Sequence, residues 1–288
     1  MVSDLWEPIR DYIGNIDNGS MPAVHHYTTL KGAREILRSG RMWFTERSHL
    51  NDPSELFHGI KIAGSVFRKR GRTQDADHLD ASAKEVFRNF RFFSASFSFK
   101  CDDASQWKKY ADDGKGVALS FRASAFNDPK AQVDKFIVDG PTAFVCPMSY
   151  DAARLESIIG CIIDKWNGSN ILELCDHLFM ISSMFKSNLW ESETEYRFFV
   201  HHPYEKILKS DYYKTREKNG QVIAYLEMPI KNWGSAEDFP IYRIRLGPAT
   251  PDGLEAQLRE FIFQCVPPFK EKKFRGPAPL IDRCGGYE

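Results

Sequence analysis

The side chains best suited to chemistry in this sequence are His26, Asp52, Glu55, Glu193 and Glu195, each beside a short run of alternating polarity. Glu195 opens the run "EYRFFV", where strand alternation puts Arg197 on its face and Tyr196 and Phe198 on the other. A carboxylate there either pairs with Arg197, which is worth little at a surface, or faces a cleft and stabilises a developing positive charge. Asp52, Glu55, Glu193 and Glu195 together suggest a metal-dependent nuclease as a lesser reading, although no spacing fixes them around one ion. Motifs for P-loop, dinucleotide-fold, zinc-protease and serine-hydrolase chemistry (GxxxxGK[ST], GxGxxG, HExxH, GxSxG) are absent.

The elements that must position these groups follow from periodicity. Val24 to Thr28 alternates as a strand, with Val24, His26 and Thr28 on one face and His25 and Tyr27 on the other. Thr28 or Thr29 caps a helix whose apolar residues Leu30, Ala33, Ile36 and Leu37 share a face, and Gly40 ends it. Arg41 to Glu46 reads as a second strand, followed by a polar turn carrying Asn51 and Asp52. "FFSASFSF" opposes Phe93, Ala95, Phe97 and Phe99 to Ser94, Ser96 and Ser98, the pattern of a half-buried strand. Trp107 and Tyr110 lie one helical turn apart and read as core. Thr250 and Pro251 mark the start of a last helix with Leu254, Leu258, Phe261 and Ile262 on one face. Strands and helices alternate irregularly, with few βαβ spacings. The expected fold is α+β with a mixed or antiparallel central sheet, residues 1–20 forming an N-terminal extension and 21–288 one domain.

Composition narrows the setting. The 288 residues carry 39 Lys plus Arg against 39 Asp plus Glu, so no global field draws the chain to nucleic acid or membrane. The basic runs at 67–72 and 270–275 read as solvated surface, with a phosphate-facing patch as the alternative. Six cysteines without a CxxC pair, in largely apolar surroundings, fit a reduced cytoplasmic protein and give no metal site; Cys175-Asp176-His177 reads as core. No signal peptide and no membrane-spanning run are expected.

The runs "HYTTLKGAREILRSGRMWFTERSHLNDPSE", "FFSASFSFKCDDASQWKKYADDGKGVALSF", "KSNLWESETEYRF" and "RIRLGPAT" resemble, in order, the bacterial family labelled domain of unknown function 2971, from about Val24 to the last helix. That label carries no activity. The His-Tyr-Thr strand, the "SGRMWFT" strand and the late glutamate also look like the ADP-ribosyltransferase superfamily, whose diphtheria-toxin and poly(ADP-ribose) polymerase branch uses a His-x-Thr/Ser strand, an aromatic on the next strand and a late glutamate.

This resemblance implies a split sheet and NAD as a substrate, with no metal. His26 would hold the NAD ribose, with Thr28 accompanying it. Phe44, or alternatively Trp43, would stack on nicotinamide, and Phe57 would be a second stacking ring. Asn51 and Asp52 would face the nucleotide, and Glu195 would be the catalytic carboxylate, preferred to Glu193 because it directly precedes the aromatic-Arg-Phe strand. Phe44 lacks the hydroxyl of the family's tyrosine, and Tyr27 stands where a glycine is common. Cleaving the nicotinamide–ribose bond passes through an oxocarbenium-like state. The expected activity is thus ADP-ribosyl transfer to a protein or nucleic-acid acceptor, or NAD hydrolysis, in a toxin or defence setting. A non-catalytic nucleotide- or nucleic-acid-binding module is the alternative.

Overall fold

The computed structural model describes residue 5 and residues 7–14, 23–49, 53–121, 143–218, 220–230, 233, 239–273 and 275–285. Among them, ten strands join one sheet: β1 (Val24–Thr28), β2 (Arg41–Glu46), β3 (Phe90–Ser98), β4 (Val117–Phe121), β5 (Ala143–Pro147), β6 (Glu195–Pro203), β7 (Tyr213–Lys218), β8 (Gln221–Pro229), β9 (Ile241–Leu246) and β10 (Leu280–Arg283). Every pairing is antiparallel except β9 with β10, so the sheet is mixed and the class α+β, as the sequence predicts. The helices are α1 (Glu7–Gly14), α2 (Leu30–Ser39), α3 (His58–Lys69), α4 (Thr73–Asn89), α5 (Ala104–Tyr110), α6 (Ala152–Lys165), α7 (Ile171–Ser182), α8 (Tyr204–Leu208), α9 (Leu254–Cys265) and α10 (Pro267–Lys270).

One feature of the sheet dominates its shape. Strand β3 pairs with β6 along its whole length on one edge. Its other edge is shared: β1 meets it at Ser98, and β2 meets it at Ser94 and Phe93. Continued inward, both strands would arrive opposite Ser96, where there is room for one. They diverge instead, β1 pairing onward with β4 and β2 with β8. The sheet therefore opens at Ser96.

The strand register sorts side chains between two cores. One face carries Met42, Phe44, Phe97, Leu119, Phe198 and Leu226 and packs under α2 and α9. The other face, at Phe92, Cys146 and Phe199, packs under α3, α4, α6 and α7. Ile9 and Tyr12 of α1 are buried in this second core. Beyond that layer the same face bears serines and charges and stays open at the split. This covering explains why β3 is not half-buried: of its serines only Ser96 is exposed.

Local signals behave physically. Thr29 caps α2 by accepting from the Gly32 amide at 3.1 Å, and Gly40 ends it at φ 66°, where a side chain would be strained. The last helix departs from expectation, beginning at Leu254 after Gly253. Arg283 of β10 donates to the Thr250 and Pro251 carbonyls, and the Thr250 hydroxyl donates to Gly247, so this segment is held off the helix. In the basic run 67–72, Arg68 pairs with Asp77 and Asp80, Lys69 with Glu156, Arg70 with Asp164 and Arg72 with Asp75. That matches the solvated-surface reading. In the second run Lys273 pairs with Glu271.

Phe44 and Trp43 give a clean test of this register. Phe44 is 1 % exposed and meets Phe198, whereas Trp43 is on the opposite face. Phe44→Ala should cost about 3–5 kcal/mol in urea unfolding, and Trp43→Ala should cost far less. Equal costs would contradict the register.

Candidate functional site

A cleft of about 360 Å³ lies over the split. Its floor is the serine row of β3, Ser94, Ser96 and Ser98. One wall carries Trp43, Ile223 and Arg216 from β2, β8 and β7; the other carries His25 and Tyr27 of β1 with Gln106, Lys109 and Tyr110 of α5. Glu55, Lys186, Glu193, Glu195 and Arg197 also line it.

Glu195 is bound from several sides. Arg197 Nε and Nη2 form a fork on it at 2.6 and 2.9 Å. The Ser96 hydroxyl donates to Oε1 at 2.6 Å, and Lys186 Nζ to Oε2 at 3.1 Å. At 4 % exposure this is a buried network, not the surface pair the sequence allowed. Burial alone would raise the Glu195 pKa, but Arg197 first and Lys186 next hold it well below the usual carboxylate range. Arg197 is raised in turn: Glu195 and then Glu55 outweigh its burial. Glu55 accepts from Arg197 at 3.1 Å and from Arg47 at 2.5 Å. Arg47, 2 % exposed, is depressed to about 10 by burial and by the nearby Arg197.

Glu193 belongs to the same network. It accepts from Lys109 at 2.7 Å and the Tyr110 hydroxyl at 3.0 Å on one oxygen, and from Lys186 at 2.6 Å on the other. Its pKa is lowered, the bonds from both lysines outweighing burial. The two glutamates are not neighbours on one extended strand. Glu193 ends a 3-10 turn, and Thr194 between them sits at φ 43°, an unfavourable region for a β-branched residue. Strain at such a point is tolerated where surrounding contacts fix it. Here the Thr194 amide donates to Glu191, its carbonyl accepts from Phe99, and both carboxylates close on Lys186.

His26 and His25 point to opposite faces of β1, yet both reach the cleft, because the split exposes both sides of the strand edge. His26 Nδ1 lies 3.0 Å from the Ser96 carbonyl. A carbonyl only accepts, so Nδ1 carries the proton, and in the neutral ring Nε2 is an acceptor. Burial lowers the His26 pKa against the opposing Ser96 bond, which keeps the ring neutral. His25 is 5 % exposed and bonds the Ser120 hydroxyl at 2.8 Å. Burial, then Arg245 and Arg243, push its pKa down to about 4.

Of the other expected site residues, Trp43 lines the cleft and Phe44 does not. One residue along a strand reverses the face, and the face of Phe44 is the one that packs into the first core. Trp43 packs on Tyr225 at 4.8 Å and donates to Glu227 at 3.3 Å. Thr28 shares the face of His26 but is not among the lining residues. Phe57 is spent in the second core against Phe87 and Phe179. Asn51 and Asp52 lie outside the described residues. Trp107 is core, 1 % exposed, with its edge on Tyr27, while Tyr110 faces the cleft. Arg47, Lys109, Lys186 and Arg216 went unnoticed in the sequence, since nothing local separates them from other basic residues.

The carboxylates intended for the nuclease reading do converge, but on cations. Glu55, Glu193 and Glu195 each accept from arginine or lysine, and no group of three acidic, His or Cys side chains among the described residues is arranged to hold a metal. Cys175 and His177 are buried in the helical core, bonding the Leu79 and Glu173 carbonyls. All six cysteines are free, and no helix among the described residues is long and apolar enough to cross a membrane.

Residues 106–198 match the family described as "Protein of unknown function (DUF2971)". This segment is shorter than the span over which the sequence resembles that family. It contains Lys109, Lys186, Glu193, Glu195 and Arg197, but neither His26, Trp43 nor Arg216. No curated protein and no solved structure matches the chain significantly.

Two outcomes follow from this electrostatic arrangement. Glu195→Gln leaves Arg197 and Lys186 short of negative charge in a buried site, so it should cost about 3 kcal/mol or more in urea unfolding. A cost below 1 kcal/mol would mean the network is solvated. The second concerns His25, which stays neutral in the fold while the unfolded chain protonates below about pH 6.5. Its contribution is fully present above pH 6.5 and lost as pH falls toward 4. Between pH 7 and 5 the wild type should lose about 2 kcal/mol more than His25→Gln. Asp176, raised to about 6 by burial, acts in the opposite sense but is common to both proteins and cancels. Parallel pH profiles would refute the assignment.

Proposed function

We propose that the cleft binds NAD and breaks its nicotinamide–ribose bond, delivering the ADP-ribosyl group to water or to an acceptor. One observation carries the reading: at the opening of the sheet, an aromatic wall (Trp43), a neutral histidine acceptor (His26) and two buried carboxylates (Glu193, Glu195) line one cleft. These are the parts an oxocarbenium-like transition state requires. The part of Trp43 not taken by Arg216 and Tyr225 offers aromatic surface for the nicotinamide ring. His26 Nε2 can accept from a ribose hydroxyl and so fix the sugar. Bond cleavage sends the electron pair to nicotinamide, leaving positive charge on the ribosyl carbon. A carboxylate beside that carbon stabilises the transition state more than the ground state, and the nucleophile's oxygen then forms the new bond while its proton passes to solvent water.

Which carboxylate faces the ribose follows from their remaining capacity. Glu195 already accepts four bonds, whereas one oxygen of Glu193 accepts only from Lys186. Glu193 is therefore the better placed, with Glu195 anchoring the network. The lowered pKa of both suits fixed negative charge and not proton transfer. The resemblance to ADP-ribosyltransferases adds the toxin or defence setting and an acceptor of protein or nucleic acid.

A specific observation favours a second reading, a nucleotide-binding module without turnover: each carboxylate in the cleft is already neutralised by a cation. Measuring NAD consumption and NAD binding separates the two. The catalytic reading expects turnover by the wild type and a roughly 100-fold slower rate, with NAD binding kept, for Glu193→Gln. Binding without any consumption by the wild type would leave only the second reading. Failure to bind NAD would remove the catalytic reading, and failure to bind ADP as well would remove the second.

A further inference from the structure

We infer that Arg216 is the phosphate-recognising residue of the cleft, so that its ligand is a phosphorylated nucleotide and not a nucleoside or a free base. The inference rests on the nucleotide reading above and adds to it the group that is recognised. Among the described residues, four cations line the cleft, Lys109, Lys186, Arg197 and Arg216, against the carboxylates Glu55, Glu193 and Glu195. The first three cations are each paired with one or more of those glutamates. Arg216 has no carboxylate partner among the described residues, and its Nε is buried without a hydrogen bond.

The position of Arg216 is nonetheless defined. Its guanidinium lies over the Trp43 ring at 4.7 Å and near the Tyr225 ring at 5.6 Å. With Nε buried, the two terminal nitrogens are the part of the guanidinium that can present a planar fork to two oxygens of a phosphate. A cation held by rings and without a carboxylate partner among the described residues can take its counter-charge from a ligand. Arg216 also stands on the wall of Trp43, so a ring stacked near Trp43 would bring its phosphate within the same reach. Lys109 faces it from the opposite wall but is already bonded to Glu193. Arg216 is thus the cation of the cleft that no carboxylate among the described residues contacts directly.

The test is calorimetric titration of the full chain with ADP, inorganic pyrophosphate and adenosine. Arg216→Ala should weaken ADP and pyrophosphate ~10-fold or more while leaving adenosine unchanged. Arg216→Lys, which keeps the charge and loses the fork, should fall between. Unliganded melting curves should shift only slightly, because among the described residues Arg216 loses ring contacts and no hydrogen bond. In the unaltered protein, pyrophosphate should displace ADP, a measurement that needs no variant. Equal weakening of adenosine and ADP would make Arg216 a piece of wall. Unchanged ADP affinity, a lysine variant no better than alanine, or a wild type that binds neither ADP nor pyrophosphate would each overturn the inference. Phosphate binding through Arg216 in a protein that leaves NAD intact would remove the cleavage reading and keep this one.

Discussion

Arg197 lies inside the protein with carboxylates on two sides, Glu195 in a fork and Glu55 at one nitrogen. A guanidinium and a carboxylate removed from water each lose several kcal/mol of hydration, and mutual attraction repays this only with good geometry and with the remaining donors satisfied. For Arg197 the structure meets that condition by recruiting neighbours, whereas Nη1 of Arg47 is buried without a partner among the described residues. Ser96 and Lys186 complete Glu195, Arg47 completes Glu55, and Lys109, Lys186 and Tyr110 complete Glu193. Because these groups come from β3, β6, α5 and the segments around Glu55, Lys186 and Glu193, satisfying one buried charge fixes several pieces of chain at once. Such a network contributes less to stability than to uniqueness. Its loss is costly mainly because it leaves a charge stranded.

The second constraint is steric and belongs to the backbone. Two strands cannot share one edge of β3 at Ser96, so the sheet opens there and its peptide groups need other partners. His26 supplies one by donating to the Ser96 carbonyl. On β6, opposite, Ser96 is paired with Arg197, which carries the charge network to the bottom of the same opening. A backbone opening and a buried charge cluster thus coincide at one residue. Concave, charged and bounded by an aromatic wall, the place suits a nucleotide. The fork on Glu195 is the part that fits catalysis least well, since cations reduce the field a carboxylate exerts on a nearby carbocation.

Much of this was legible in the sequence where the rule is local. Alternation in "VHHYT", "FFSASFSF" and "EYRFFV" correctly placed β1, β3 and β6, and the serine face of β3 became the cleft floor. The same rule, applied to "MWF", separates Trp43 from Phe44, but only once the buried face is known, and that is decided by strands distant in sequence. Glu195 was recognisable as a candidate, and it lines the cleft; its fork with Arg197 was visible as an i, i+2 pair, its burial was not. Lys186 and Arg216 reach the cleft, and Arg47 its charge network, through tertiary approach, and no spacing near them announces it. The start of α9 misled for a comparable reason: Thr250 and Pro251 have good capping chemistry, and Arg283, over thirty residues later, competes for their carbonyls.

The central claim is that the opening at Ser96 is where NAD sits. A crystal structure of the protein soaked with NAD tests it most directly. The account predicts density for the nucleotide in the cleft, a ring against Trp43, and a ribose hydroxyl within hydrogen-bonding distance of His26 Nε2. Density elsewhere on the molecule, or an empty cleft at saturating NAD with the Glu195–Arg197 fork undisturbed, would contradict it.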